Sequence, residues 1–158
     1  MKKSLITIIS TITLTIIMLF SSACTISSSN TKIQEFYDAV VESQECLDEV
    51  GDTIYDYWYN AIYKNSYSGN INLAIAYAKV DCKTSLDFIE TNDAVISTLY
   101  KTVRDSDLKD EVKEVMNAYS EYYEFVVNVS GSFNSYSKDK EVLKKALATA
   151  LKNLSLEM

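Results

Sequence analysis

Apolar residues recur every seven positions along the stretch from residue 31 to residue 64. Ile33, Val40, Leu47, Ile54 and Ala61 form one series, and Phe36, Val50 and Tyr57 occupy the companion positions. Such spacing places the apolar side chains along one stripe of an α-helix. The pattern therefore predicts a long amphipathic helix, about 50 Å in length at roughly 1.5 Å per residue.

A second apolar series begins after the polar segment 65–70, which has the composition of a turn. Asn70 is a favourable N-cap residue for the helix that follows. Ile75, Cys82, Ile89, Ile96 and Val103 again repeat every seven residues. They predict a second long helix from residue 71 to about residue 104. The polar residues 91–93 interrupt its apolar character, so we expect any kink to lie there.

The last third of the chain carries two further amphipathic stretches. One extends from about residue 105 to residue 130, and the other begins at Ser137, a predicted N-cap. Phe133 and Tyr136 fall in the loop between them. Proline is absent and no strand pattern follows the leader, so the sequence predicts an all-α fold. We expect an antiparallel up-down helical bundle with three long helices and one shorter C-terminal helix.

The first 24 residues differ in composition from the rest. Lys2 and Lys3 precede an apolar run over residues 5–20, and the sequence Ser-Ser-Ala-Cys follows, ending at Cys24. This order of charge, apolar segment and small residues is typical of an export signal. The run is also shorter than the roughly 20 residues of a bilayer span. With its cysteine directly after a small residue, the segment resembles a bacterial lipoprotein signal peptide.

The resemblance implies that Cys24 is diacylated on its sulfur and becomes the mature N-terminus. It divides the chain into a signal peptide (1–23), a lipidated cysteine with a flexible tether (24–30) and a helical bundle domain (31–158). The domain would be held by its lipid at the extracytoplasmic face of the cell membrane. An ordinary secretory signal cleaved after Ala23 is the alternative, and it implies a secreted protein.

The composition of the chain argues against some classes of function. Loss of Lys2 and Lys3 with the leader takes the formal net charge from −7 to −9, which argues against nucleic acid as a partner. The chain has no histidine, the commonest general base and metal ligand. We therefore expect a non-enzymatic protein without a metal or cofactor. Cys46 and Cys82 leave open a disulfide or two buried thiols.

One candidate contact surface is acidic. Asp38, Glu42, Glu45, Glu49, Asp52 and Asp56 follow one another at alternating spacings of four and three on the first helix, opposite its apolar stripe. The row is interpreted as a solvated face, or as a surface whose charge is neutralised by Lys138, Lys145 and Lys152 of the last helix. As a functional surface, it would bind a basic partner protein or weakly held divalent cations.

The other candidate surface is aromatic. Tyr55, Trp58, Tyr59, Tyr63 and Tyr67 make the end of the first helix apolar on nearly every side. Either the last helix or the loop with Phe133 and Tyr136 covers these rings, or they remain exposed as a binding patch. The leading hypothesis is a protein-interaction or accessory lipoprotein that uses both surfaces. The alternative is a bundle that binds a small molecule or a cell-wall glycan at its tyrosines.

Overall fold

The computed structural model describes residues 29–158, and this part of the chain is all-helical, without a strand. It contains five α-helices: α1 (Ser29–Tyr63), α2 (Ile71–Asp81), α3 (Lys83–Val103), α4 (Lys109–Val127) and α5 (Phe133–Glu157). A short 3₁₀ turn, Ser66–Gly69, joins α1 to α2. The all-α prediction is confirmed for these residues. The predicted signal peptide and Cys24 lie outside them.

The apolar stripe predicted for the first helix lies in the core, except at its companion position Tyr57, which is only partly buried. Its five heptad residues from Ile33 to Ala61 are all at most 2% exposed. Helix α1 contacts each of the other four helices. It begins at Ser29, two residues before the predicted start, because a polar first turn leaves no trace in an apolar repeat.

The prediction of a single long helix after the turn is wrong, because the chain forms two helices there, α2 and α3. The break falls at Cys82, whose backbone leaves helical values at φ −96° and ψ 17°. No proline or glycine marks the position. Helix α3 instead continues through Asn92, where we expected the kink. The buried Asn92 amide donates to the Ala39 carbonyl and to Ser43 Oγ, both at 2.8 Å, so its polarity is satisfied across the interface with α1.

The last helix is not the short one that the sequence predicts. Helix α5 has 25 residues, against 19 in α4. It begins four residues before Ser137 because Ser132 and Ser135 form a reciprocal capping box at its N-terminus. Phe133 and Tyr136 consequently lie in the first turns of α5 and not in a loop. The predicted cap at Asn70 is confirmed, since its side chain accepts from the Leu73 amide at 3.1 Å.

Contacts between the helices fix their relative directions. Asn92 of α3 bonds Ala39 of α1, whereas Ser85, earlier in α3, donates to Glu49, later in α1. Helices α1 and α3 therefore run in opposite directions. Among the helices between Ser29 and Met158, none combines the length and the hydropathy that a bilayer span requires.

Candidate functional site

Aromatic side chains collect where α1 ends and α5 begins. Phe133 is their common contact: its ring centroid lies 5.1 Å from Tyr55, 6.2 Å from Tyr59 and 5.9 Å from Tyr63. Tyr59 and Tyr63 also contact each other, at 4.7 Å. We call Tyr55, Tyr59, Tyr63 and Phe133 the aromatic end. The first turn of α5 holds these rings in place.

The start of α5 covers only part of the predicted aromatic patch. Trp58 is buried, because Phe133 and Tyr136 lie against its ring at 6.0 and 5.4 Å. Tyr59 remains 38% exposed and Tyr63 59% exposed. The start of α5 therefore covers the inner face of the patch and leaves two tyrosines at the surface. Such rings offer a large apolar area together with a polar tip.

Tyr67 belongs to a separate group of rings. It stacks between Tyr57 and Tyr77, with centroid distances of 5.6 Å to each. The Tyr57 hydroxyl donates to Asp81, and that bond raises the pKa of Tyr57 to about 12. The seven-residue apolar repeats do not single out Tyr77, which is 51% exposed. Its spacing from Leu73 and Val80, which are also exposed, was the available signal for an outward apolar face on α2.

A shallow cleft of about 550 Å³ separates the 3₁₀ turn from the loop between α4 and α5. Its lining is uncharged: Trp58, Gly69, Asn70, Ile71, Asn72, Ile75, Val129, Ser130 and Gly131. The indole N–H of Trp58 has no hydrogen-bond partner in the structure. The cleft therefore offers apolar walls, two side-chain amides and one hydroxyl to a ligand.

The acidic row on α1 is only partly neutralised, and not by the lysines that the sequence suggested. Lys140 forms an ion pair with Asp52 of the row, and Lys144 pairs at 3.0 Å with Asp48, an acid of α1 that lies outside the row. Lys140 also lies 4.8 Å from the centre of the Tyr55 ring, so it joins the acidic row to the aromatic end. Lys138, Lys145 and Lys152 form no ion pair among residues 29–158.

The remaining candidate acids have no cationic partner in the described part of the chain. Glu49 accepts a hydrogen bond from Ser85 at 2.8 Å, and Glu45 is exposed. Partial burial, followed by the nearby charges of Asp38 and Glu45, raises the pKa of Glu42. These carboxylates give α1 a negative face that adjoins the aromatic end at Asp52.

Burial raises the pKa of both described cysteines. Cys46 and Cys82 are both free thiols. Burial, assisted by the neighbouring carboxylate of Glu49, raises the pKa of Cys46 to about 11. A thiol must ionise before it attacks, so Cys46 stays protonated and unreactive near neutral pH. Within residues 29–158, no group of three or more His, Cys, Asp or Glu side chains is arranged to hold a metal ion.

Comparison of the chain with protein-family models, with curated proteins and with solved structures found no match.

Proposed function

We propose that this protein is an extracytoplasmic lipoprotein, anchored through Cys24, whose helical domain binds a partner protein at the aromatic end. It acts by binding and not by catalysis. One observation carries the proposal: Tyr59 and Tyr63 stay 38% and 59% exposed although their rings are held against Phe133. Tyrosines whose positions are already fixed lose little entropy on binding, and they are enriched at the centres of protein interfaces.

The arrangement of the helices supports a surface held away from the membrane. We infer an antiparallel up-down bundle, in agreement with the opposed directions of α1 and α3. Helix α1 has 35 residues, which corresponds to roughly 52 Å at about 1.5 Å per residue. The tether from Cys24 joins α1 at its first residue, while Tyr63 is its last. An anchor at Cys24 thus leaves the aromatic end at the far end of the longest helix.

Charge indicates the nature of the partner. Glu42, Glu45 and Glu49 form no ion pair within the described residues 29–158, and they lie on the same helix as Tyr59 and Tyr63. Since a negative field accelerates the approach of positive surfaces, the proposed partner is basic near its contact. Exposed charges separated by more than about 8 Å are screened at physiological ionic strength, so association should slow as salt is added.

Crosslinking on intact cells, followed by purification of the full chain, tests the partner surface. A basic protein should be recovered with the native chain and lost with Tyr63→Ala or Glu45→Lys. Tyr77→Ala is the matched control, because Tyr77 is similarly exposed but lies in the other group of rings. Equal recovery with Tyr63→Ala and Tyr77→Ala, or no enriched protein at all, would count against the aromatic end as the contact.

Anchoring is tested separately. Cys24→Ser removes the sulfur that would carry the acyl chains, so the variant should leave the membrane fraction and lose metabolic labelling by palmitate. Unchanged pelleting with membranes, and no labelling of the native chain, would refute the lipoprotein assignment.

A second candidate function, binding of a neutral small molecule or glycan, is favoured by the uncharged cleft beside Trp58. Its volume of about 550 Å³ is within the range of ligand sites. The chain has a single tryptophan, so its fluorescence reports on this cleft directly. Titration with neutral N-acetylglucosamine oligosaccharides should give a saturable change that Ser130→Phe, which fills the cleft, abolishes. A flat signal would exclude this candidate for that class of sugar.

A further inference from the structure

A groove runs along the outer surface between α4 and α5, away from the aromatic end. It has a volume of about 490 Å³, and three alanines form its apolar lining: Ala118, Ala146 and Ala150. Val142 stands at its edge and is 58% exposed. Ala146, one turn after Val142, is exposed as well. Helix α5 therefore has a wider apolar stripe than the rest of the domain covers.

The two walls of the groove carry opposite charges. Glu114 and Glu121 stand on the α4 side, and Lys145 stands on the α5 side. Lys138 and Lys152 continue the basic row one heptad before and after Lys145. All five side chains belong to exposed residues, and none forms an ion pair within residues 29–158. The charges are thus available to a partner with a complementary pair of walls.

A second copy of this chain has that pair of walls. We propose that the domain forms a symmetric dimer through the groove between α4 and α5. A two-fold axis along the groove turns the second copy so that its α4 lies over α5 of the first, and the reverse. Each acidic wall then faces a basic wall, and the apolar linings, with the Val142 side chains at their edges, close against each other. The same contact is made twice.

The register of the charges agrees with this geometry. Helices α4 and α5 form a hairpin in which Phe125, near the end of α4, stacks on Tyr136, near the start of α5, at 4.7 Å. Counting along the two helices from that pair, Glu121 is level with a point between Lys138 and Lys145. Glu114 is level with a point between Lys145 and Lys152. After the two-fold rotation, each glutamate of one copy lies between two lysines of the other.

None of the groove residues belongs to the aromatic end, so the dimer contact is independent of the proposed partner surface. The test uses two full-length copies with different affinity tags, expressed together and solubilised in mild detergent. The native copies should purify together. Lys145→Glu in both copies, or Glu121→Lys in both, places like charges opposite each other and should reduce recovery at least about tenfold. Lys101→Glu, an exposed lysine on α3, is the matched control and should change nothing.

The decisive measurement combines the two variants in different copies. A Lys145→Glu copy and a Glu121→Lys copy should pair about as well as the native copies, because one contact is native and the other has its charges exchanged. A structural defect within one chain would not be rescued in this way. Failure of this mixed pair to assemble, or full recovery of either variant with itself, would overturn the proposal. So would native copies that never purify together.

Discussion

The ion pair between Lys140 and Asp52 predicts an asymmetry between two substitutions. Lys140 has a side chain only 8% exposed, whereas that of Asp52 is 56% exposed. Burial disfavours the ammonium, yet its hydrogen bond with Asp52 raises the pKa of Lys140 above its ordinary value. Asp52→Asn removes this partner and leaves a buried cation. Lys140→Met removes the cation and returns an already hydrated carboxylate to water.

The size of the stability loss on Asp52→Asn depends on which groups remain around the Lys140 ammonium. Breaking a fully buried pair by removing one member costs about 3 to 5 kcal/mol. Here Glu141 still lies 3.3 Å from Lys140 Nζ and the Tyr55 ring still lies 4.8 Å away, so the loss is smaller. We expect Asp52→Asn to lower the free energy of unfolding by about 1 to 2 kcal/mol. We expect Lys140→Met to change it by less than about 0.5 kcal/mol, since methionine fills a similar volume.

Thermal unfolding followed by circular dichroism measures both effects. Asp52→Asn should lower Tm by about 5 °C in a domain of this size. Asp56→Asn is the control, since Asp56 lies one turn further along the same face and forms no ion pair among residues 29–158. A loss on Lys140→Met equal to that on Asp52→Asn would refute the argument, because it would mean that the charged pair itself provides the stability.

The same pair has a defined pH dependence. The folded pKa of Lys140 is raised, so its contribution to stability is complete below the unfolded value of about 10.5. That contribution is lost as the pH rises through the folded pKa. The difference between the native chain and Asp52→Asn should therefore be constant from about pH 6 to 9 and shrink in more alkaline solution. A difference that changed near neutral pH would assign it to another group.

Three further predictions concern the stability of the fold, measured by thermal unfolding. Leu47→Asp places an unpaired carboxylate at a fully buried position and should prevent folding, and a normal melt would contradict the assigned core. Asn92→Leu removes the side-chain hydrogen bonds to the Ala39 carbonyl and to the buried Ser43 Oγ and should cost about 1 to 3 kcal/mol, whereas a more stable variant would show that these bonds are dispensable. Gly131→Ala should cost at least about 1 kcal/mol, because φ is +88° and the new Cβ would lie 2.9 Å from Ser135 Oγ; no loss would mean that the loop relaxes easily.

Much of the fold was present in the sequence as a one-dimensional pattern. The heptad repeat from Ile33 to Ala61 predicts both the existence of α1 and the face that it buries, because the α-helical period converts spacing directly into position. The cap at Asn70 could also be predicted from the sequence, because an N-cap depends only on a short polar side chain next to the helix that it caps. The acidic row and the tyrosines of α1 could be placed on one helix for the same reason.

Tertiary contacts decided the features that have no local cause. Nothing in the sequence around Cys82 separates α2 from α3. The sequence around Asn92 suggested a kink, but the hydrogen bond from its amide to the Ala39 carbonyl, which only the packed structure provides, accommodates this polar residue within a continuous helix. The exposure of Tyr63, the burial of Trp58 and the separate stacking of Tyr67 depend on where α5 begins and which rings its first turn covers. Charge pairing was likewise a matter of packing, since only the docked helix brings Lys140 and Lys144, and not Lys138 or Lys145, against the acids of α1.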